Sequence, residues 1–217
     1  MPPGLFDESP VPYGAPEPIA SGAVLLRGFA IDQAEALIQA VQQAIAIAPL
    51  RHLVTPGGHT MSVGMTTCGA LGWTSSRTGY RYTSTDPLSG QPWPAMPACF
   101  ADLALRAAAE AGFDRFTPDA CLINRYAPGT RMSLHQDRDE NDLGAPIVSV
   151  SLGLPAVFLF GGLQRSDRPA RWRLAHGDVV VWGGAARLAF HGVGPLADGD
   201  HPRLGRQRIN LTFRRAG

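Results

Sequence analysis

The sequence predicts a mainly β protein with flanking helices, built as a sandwich or jelly roll, and three observations predict it. After Pro118 seven short β-like runs follow one another, at 120–126, 147–152, 157–160, 171–174, 179–182, 187–193 and 208–214, parted by turns rich in Gly, Pro and Asp. Two apolar-periodic stretches before Pro118 read as helices instead. Hydrophobic residues make up 45% of the 217, enough for one sizeable core.

Taken in order, residues 1–20 hold six prolines and little periodicity, so they form an extended arm. The segment 23–29 reads as a strand, and Asp32 as the N-cap of a helix that ends at Ala48, before Pro49. Thr55-Pro-Gly-Gly58 is a turn, and alternation of Met61, Val63 and Met65 with small polar residues predicts a strand after it. From 72 to 93, Trp73, Tyr80, Tyr82 and Trp93 sit among Ser, Thr, Gly and Pro, a composition of irregular loops and short hairpins. A second helix spans 97–111, ahead of Gly112. The chain thus divides into an arm (1–20), an N-terminal extension (21–117) and a β core (118–217).

Composition excludes several classes. No run of about 18 apolar residues exists and no basic, then apolar leader opens the chain, which leads us to expect a cytoplasmic protein with no membrane partner. Cys68, Cys99 and Cys121 are odd in number, with no C-x-x-C spacing, so they read as reduced thiols and not as a zinc site. All 19 basic residues are arginine, and they are unevenly balanced: residues 1–142 carry 9 Arg against 14 Asp and Glu, residues 143–217 carry 10 against 4. A basic C-terminal half suits a polyanion or an anionic cosubstrate.

His135 and Asp137 are two apart, so on an extended backbone both point to one face and can reach one ion. His191 lies in another strand-like run that a sandwich can bring opposite them. Two imidazoles and one carboxylate leave cis positions open, the arrangement suited to non-haem Fe(II) and O2 activation. His52, His59, His176 and His201 compete for the third place. His176 is the serious rival, although its turn ahead of a strand fits a structural role better.

The last predicted strand alternates strictly, with Arg208, Asn210, Thr212 and Arg214 on one face. A dicarboxylate cosubstrate needs a guanidinium fork for its remote carboxylate, and Arg208 and Arg214 can supply one. Asn124 and Tyr126, again two apart, can complete the anion pocket with an amide and a phenol.

These residues, and longer runs around them, resemble the AlkB-type alkylation-repair dioxygenases, above all the bacterial founding member. The runs are Thr55-Pro-Gly-Gly-His-Thr-Met-Ser-Val63, Leu71-Gly-Trp-Thr74, Trp93-Pro-Ala-Met-Pro97, Pro118-Asp-Ala-Cys-Leu-Ile-Asn-Arg-Tyr-Ala-Pro-Gly129, Ser133-Leu-His-Gln-Asp137, Ala145-Pro-Ile-Val-Ser-Val-Ser-Leu-Gly-Leu-Pro-Ala156, His176-Gly-Asp-Val-Val-Val-Trp-Gly-Gly184 and Asn210-Leu-Thr-Phe-Arg214. The resemblance implies a double-stranded β-helix (jelly-roll) core with an N-terminal nucleotide-recognition lid. It places Fe(II) on His135, Asp137 and His191, sets His176 aside, and puts 2-oxoglutarate on Asn124, Tyr126, Arg208, Asn210 and Arg214.

It further implies oxidative demethylation of 1-methyladenine and 3-methylcytosine in DNA, single strands favoured, and in RNA, by a monomer using 2-oxoglutarate and O2; the alternatives are a 2-oxoglutarate-dependent hydroxylase of RNA, protein or a small molecule, and a non-catalytic nucleic-acid-binding jelly roll. Trp73, Tyr80, Arg81, Tyr82, Asp139 and Arg165 fall at substrate contacts. The physics agrees, since a base methylated on its Watson–Crick edge carries positive charge, which an electron-rich Trp73 ring and the Asp139 carboxylate favour. A base inside a duplex must be flipped out, and Arg77, Arg81, Arg131 and Arg165 are candidates to hold the phosphates.

Overall fold

The computed structural model describes residues 14–217, so the first thirteen residues of the predicted arm lie outside the described residues. Its strands are β1 (Glu17–Ala20), β2 (Ala23–Leu26), β3 (Gly64–Gly69), β4 (Gly72–Ser76), β5 (Gly79–Thr83), β6 (Ala120–Tyr126), β7 (Met132–His135), β8 (Ile147–Gly153), β9 (Ala156–Phe160), β10 (Ala170–Leu174), β11 (Val179–Trp182), β12 (His191–Val193) and β13 (Arg208–Arg214). Two helices, α1 (Ala34–Ile47) and α2 (Ala98–Glu110), accompany them. Neither is long and apolar enough to cross a membrane.

Period-2 patterning builds two sheets. The large one runs β1-β2-β11-β8-β13-β6-β3 and the small one β10-β9-β12-β7, with β4 and β5 forming a separate hairpin. On the outer face of the large sheet, Val148, Val150, Ile209, Leu211 and Phe213 pack against Leu37, Val41, Phe100 and Leu103 of the helices. The alternate residues Ile147, Val180 and Trp182 face inward and meet Phe158, Phe160 and Val193 of the small sheet. This is the predicted jelly-roll sandwich, with helices on one side only.

Several expectations need correction. The end of the arm is strand β1, which pairs with β2 through a turn whose Gly22 has φ +80°. Asp32 does not cap a helix: it sits in a 3-10 turn at Ile31–Gln33, and α1 starts at Ala34 with no side-chain cap. The backbone is held there by Ala30 N–H donating to the Gly177 carbonyl. The strand expected around Met61 begins at Gly64, because Thr55–His59 closes on itself first.

Of the run 187–193 only His191–Val193 is a strand, and a 3-10 turn at Gly184–Ala186 precedes it. Strand β7 escaped notice because its four residues offer little pattern, and it is held by pairing with β12. That pairing is unusually close: a Cβ on Gly192 would lie 2.7 Å from the Met132 carbonyl oxygen, so only glycine lets the two strands meet.

His176, the rival ligand, proves structural. Its Nδ1 accepts the Gly153 N–H at 3.0 Å and its ring lies 4.5 Å from that of His201. Burial, then the His201 charge, push its pKa down to about 4. A folded-state pKa below the usual 6.5 means the unfolded chain binds the extra proton, so stability is complete above about pH 6.5 and declines as pH falls toward 4. Denaturant unfolding at pH 5 and pH 7 should show this loss, and His176→Gln should lessen it. An unchanged difference would contradict the role.

Candidate active site

Between the sheets lies a cavity of about 830 Å³ whose walls include His135, Asp137 and His191. His135 closes β7 and His191 opens β12, directly opposite each other in the register. The rings stand 4.4 Å apart, and the Nε2 atoms of His135 and His191 lie 3.7 Å from Asp137 Oδ1 and Oδ2 respectively. One potential ligand atom from each falls within 4.8 Å of the others, a spacing that can hold a metal ion.

The imidazoles are oriented alike. His135 Nδ1 meets the Ser133 carbonyl at 2.8 Å and His191 Nδ1 the Ala189 carbonyl at 3.0 Å. A carbonyl only accepts, so each Nδ1 carries the proton and each Nε2 presents a lone pair. Burial, reinforced by His135, pushes the His191 pKa down to about 4, leaving it neutral and ready to ligate.

Asp137 sits in a dense ion network. Burial would raise its pKa, but the charge and hydrogen bonds of the adjacent Arg214 guanidinium outweigh that and hold it below the usual carboxylate range. Arg214 donates to Asp137 Oδ2 through Nη2 at 2.6 Å and Nε at 3.0 Å, and its Nε is 3.2 Å from Glu140 Oε1. Arg187, expected only as a strand residue, donates to the Asp137 carbonyl at 2.7 Å, to Glu140 Oε2 at 3.0 Å and to the Ala145 carbonyl at 2.9 Å.

Strand β13 has all seven residues buried, so its polar face is not solvated. It faces the cavity, flanked by β6 and β8 with Asn210 opposite Asn124 and Ser151. Arg208 is 1% exposed; its Nη2 donates to Ser151 Oγ at 2.9 Å and its guanidinium lies 5.0 Å from the Tyr126 ring. Among the described residues Arg208 Nε and Nη1 and Asn124 Oδ1 have no hydrogen-bond partner. A buried cation with two unused donors is costly unless an anion arrives, which fits a carboxylate cosubstrate. Asn210 is held by Ser149 Oγ and the Val150 carbonyl, and Thr212 donates to its Oδ1.

The β4–β5 hairpin roofs the cavity. Trp73 stacks on Tyr80 with centroids 5.0 Å apart, and its Nε1 donates to Asp139 Oδ2 at 2.9 Å. Tyr82 lines the cavity too, but its hydroxyl donates to Glu140 Oε1 at 2.7 Å. Arg131 and Arg165 are among the lining residues, Arg165 with its guanidinium 5.9 Å from the Phe190 ring. Arg77 and Arg81 are exposed on the hairpin and do not line the cavity. Sequence reasoning missed Arg138 in the wall, and it missed Glu140 and Arg187 behind Asp137. Glu140 ends the run Asp137-Arg-Asp-Glu140, whose density of charge was the available signal.

Comparison with known proteins agrees with this arrangement. The model of the 2OG-Fe(II) oxygenase superfamily matches residues 22–214. The alpha-ketoglutarate-dependent dioxygenase AlkB of Escherichia coli (strain K12) is 60% identical over 201 residues, 93% of this chain and 93% of that one. The tRNA demethylase abh1 of Schizosaccharomyces pombe is 30% identical over 157 residues, 66% of this chain and 52% of its own length. In three dimensions, the solved structure of OsALKBH1 matches with a TM-score of 0.79 at 28% identity, covering 92% of this chain and 99% of that one. The chain belongs to the AlkB family of the 2OG-Fe(II) oxygenase superfamily and is a dioxygenase dependent on Fe(II), 2-oxoglutarate and O2.

Proposed function

We propose that this dioxygenase removes methyl groups from the ring nitrogens of nucleobases such as 1-methyladenine and 3-methylcytosine, repairing alkylated DNA directly. One observation carries the reading: a single cavity holds the His135, Asp137 and His191 cluster, the unsatisfied Arg208 fork, and Trp73 with Asp139. His135, Asp137 and His191 are the iron ligands. Arg208 takes the remote carboxylate of 2-oxoglutarate, with Asn124, Tyr126 and Asn210 around it, while Arg214 acts at the metal end through Asp137. Bound Fe(II) with 2-oxoglutarate and O2 supplies hydroxylation of the N-methyl carbon, which then leaves as formaldehyde while the cosubstrate becomes succinate and CO2.

The chain's own groups bind and orient. Trp73, stacked on Tyr80, offers its ring face to the base, and Asp139 offers a carboxylate to the cationic ring. Exposed Arg131, Arg138 and Arg165 at the cavity hold the phosphates. Single strands are the preferred substrate, because a flipped base escapes its stack there at least cost. The protein acts as a monomer in the cytoplasm. The division at residue 117 is functional: the hairpin recognises the base, although β2 and β3 of the extension pair into the large sheet.

The test is formaldehyde release by protein supplied with Fe(II), ascorbate and 2-oxoglutarate. Single-stranded and duplex DNA bearing 1-methyladenine or 3-methylcytosine, methylated RNA and a methylated peptide are compared. Formaldehyde should match succinate and be greatest on single-stranded DNA. RNA exceeding DNA would make the chain an RNA demethylase, and no release from any nucleic acid would end the reading.

A further inference from the structure

Glu140 is buried and gathers donors from three separate segments. Tyr82 reaches it from the hairpin, Arg187 from the segment before β12, and Arg214 from the end of β13. Both arginines continue to Asp137, Arg187 at its main-chain carbonyl and Arg214 at carboxylate oxygen Oδ2. Arg214 therefore bridges the two carboxylates while Arg187 ties Glu140 to the Asp137 main chain, and of the two acids only Glu140 also holds the hairpin. From this we infer that Glu140 is a positioning residue that ties the seat of the β4–β5 hairpin to the orientation and charge of the Asp137 carboxylate.

Two physical effects follow. Glu140 shares the charge of Arg214, so Asp137 is not fully neutralised and keeps a donor strength that a metal needs. Its hydrogen bonds also fix where the Arg214 guanidinium lies, and through that the rotation of the Asp137 carboxylate. Arg214 occupies Oδ2, which leaves Oδ1 the less encumbered oxygen. Without the Glu140 charge, Arg214 would lean wholly on the Asp137 carboxylate and compete with the ion. Outer partners of metal ligands act in this way, by orienting them and tuning their basicity. Tyr82 adds the link to the roof: a shift of the hairpin that broke its bond to Oε1 would be felt at Asp137 through the same carboxylate.

The inference rests on the reading of Asp137 as a metal ligand, and the experiment separates the two. Full-length protein is titrated with Co(II) alone, following the visible absorption that reports ligand geometry. The unaltered chain should bind Co(II); no binding would overturn the metal-site reading and this inference with it. Glu140→Gln keeps shape and hydrogen-bond acceptance but loses the charge, and should weaken Co(II) affinity by roughly 10–100-fold with an altered spectrum. Tyr82→Phe removes one hydrogen bond and leaves every charge in place. It should weaken Co(II) binding several-fold, and the double variant should fall short of the product of the two single effects, as neighbours in one network do. Glu140→Asp, which restores the charge, should recover part of the affinity. Unchanged Co(II) affinity and spectrum in Tyr82→Phe, or fully multiplicative effects in the double variant, would overturn the inference even if Glu140→Gln fails to fold.

Discussion

Asp137→Ala should abolish 2-oxoglutarate turnover, with or without a methylated oligonucleotide present. Losing an outer partner of a metal ligand costs roughly 10–100-fold in affinity or activity, and here a ligand itself is lost. The carboxylate is the single anion of the cluster, and the remaining imidazoles of His135 and His191 are neutral donors that hold Fe(II) weakly. The variant should nonetheless fold. Arg214 and Arg187 both keep Glu140, and Arg187 keeps the Ala145 carbonyl, so neither cation is left without a partner. The stability loss should not exceed the ~3–5 kcal/mol typical of breaking a buried pair. Asp137→Asn, of the same shape, separates charge from packing: it should fold as the unaltered chain does and be equally inactive. Succinate formation at an undiminished rate in either variant would remove Asp137 from the metal site.

Arg208→Ala should have the second largest effect, on the cosubstrate. Arg208 is 1% exposed and two of its donors have no hydrogen-bond partner among the described residues, so it stands ready for a carboxylate at a cost already built into the fold. Truncating one side of a buried, hydrogen-bonded charge pair costs ~2–5 kcal/mol, which at ~1.4 kcal/mol per tenfold is roughly 30-fold to several thousand-fold in cosubstrate affinity. The 2-oxoglutarate KM should rise by that order while affinity for a methylated oligonucleotide stays the same. Thermal unfolding adds an independent sign. The unaltered protein should gain stability when 2-oxoglutarate is added and the variant should not, because only binding to the folded state shifts the equilibrium. An equal loss of cosubstrate and oligonucleotide binding would mean general damage to the cavity.

Much of this site was legible from spacing. Period-2 alternation placed Arg208, Asn210, Thr212 and Arg214 on one face, and β13 has the predicted bounds, because seven alternating residues leave one way to bury Ile209, Leu211 and Phe213. The same rule put Asn124 and Tyr126 together on β6. Strand β7 was harder to see, since four residues carry too little pattern and its place is set by pairing with β12. Asp32 was misplaced as a cap because the Ala30 to Gly177 hydrogen bond, a distant contact, reshapes the turn before α1.

By itself, then, the sequence determined the jelly-roll class, the polar faces of β6 and β13, and the residue types that can hold a metal and a dicarboxylate. Alternation says which side chains share a face, and chemistry says what they can bind. Only the tertiary structure decided what each face meets. It turned the polar side of β13 toward a cavity by laying the small sheet across it, and it set His135 against His191 across two strands. It also distinguished Arg208 from Arg214, two arginines of identical parity on one strand. Glu140, arriving from a loop, and Asp137 engage Arg214, and among the described residues no such carboxylate reaches Arg208, so the difference between a paired guanidinium and an open fork lies in neighbours that periodicity cannot supply.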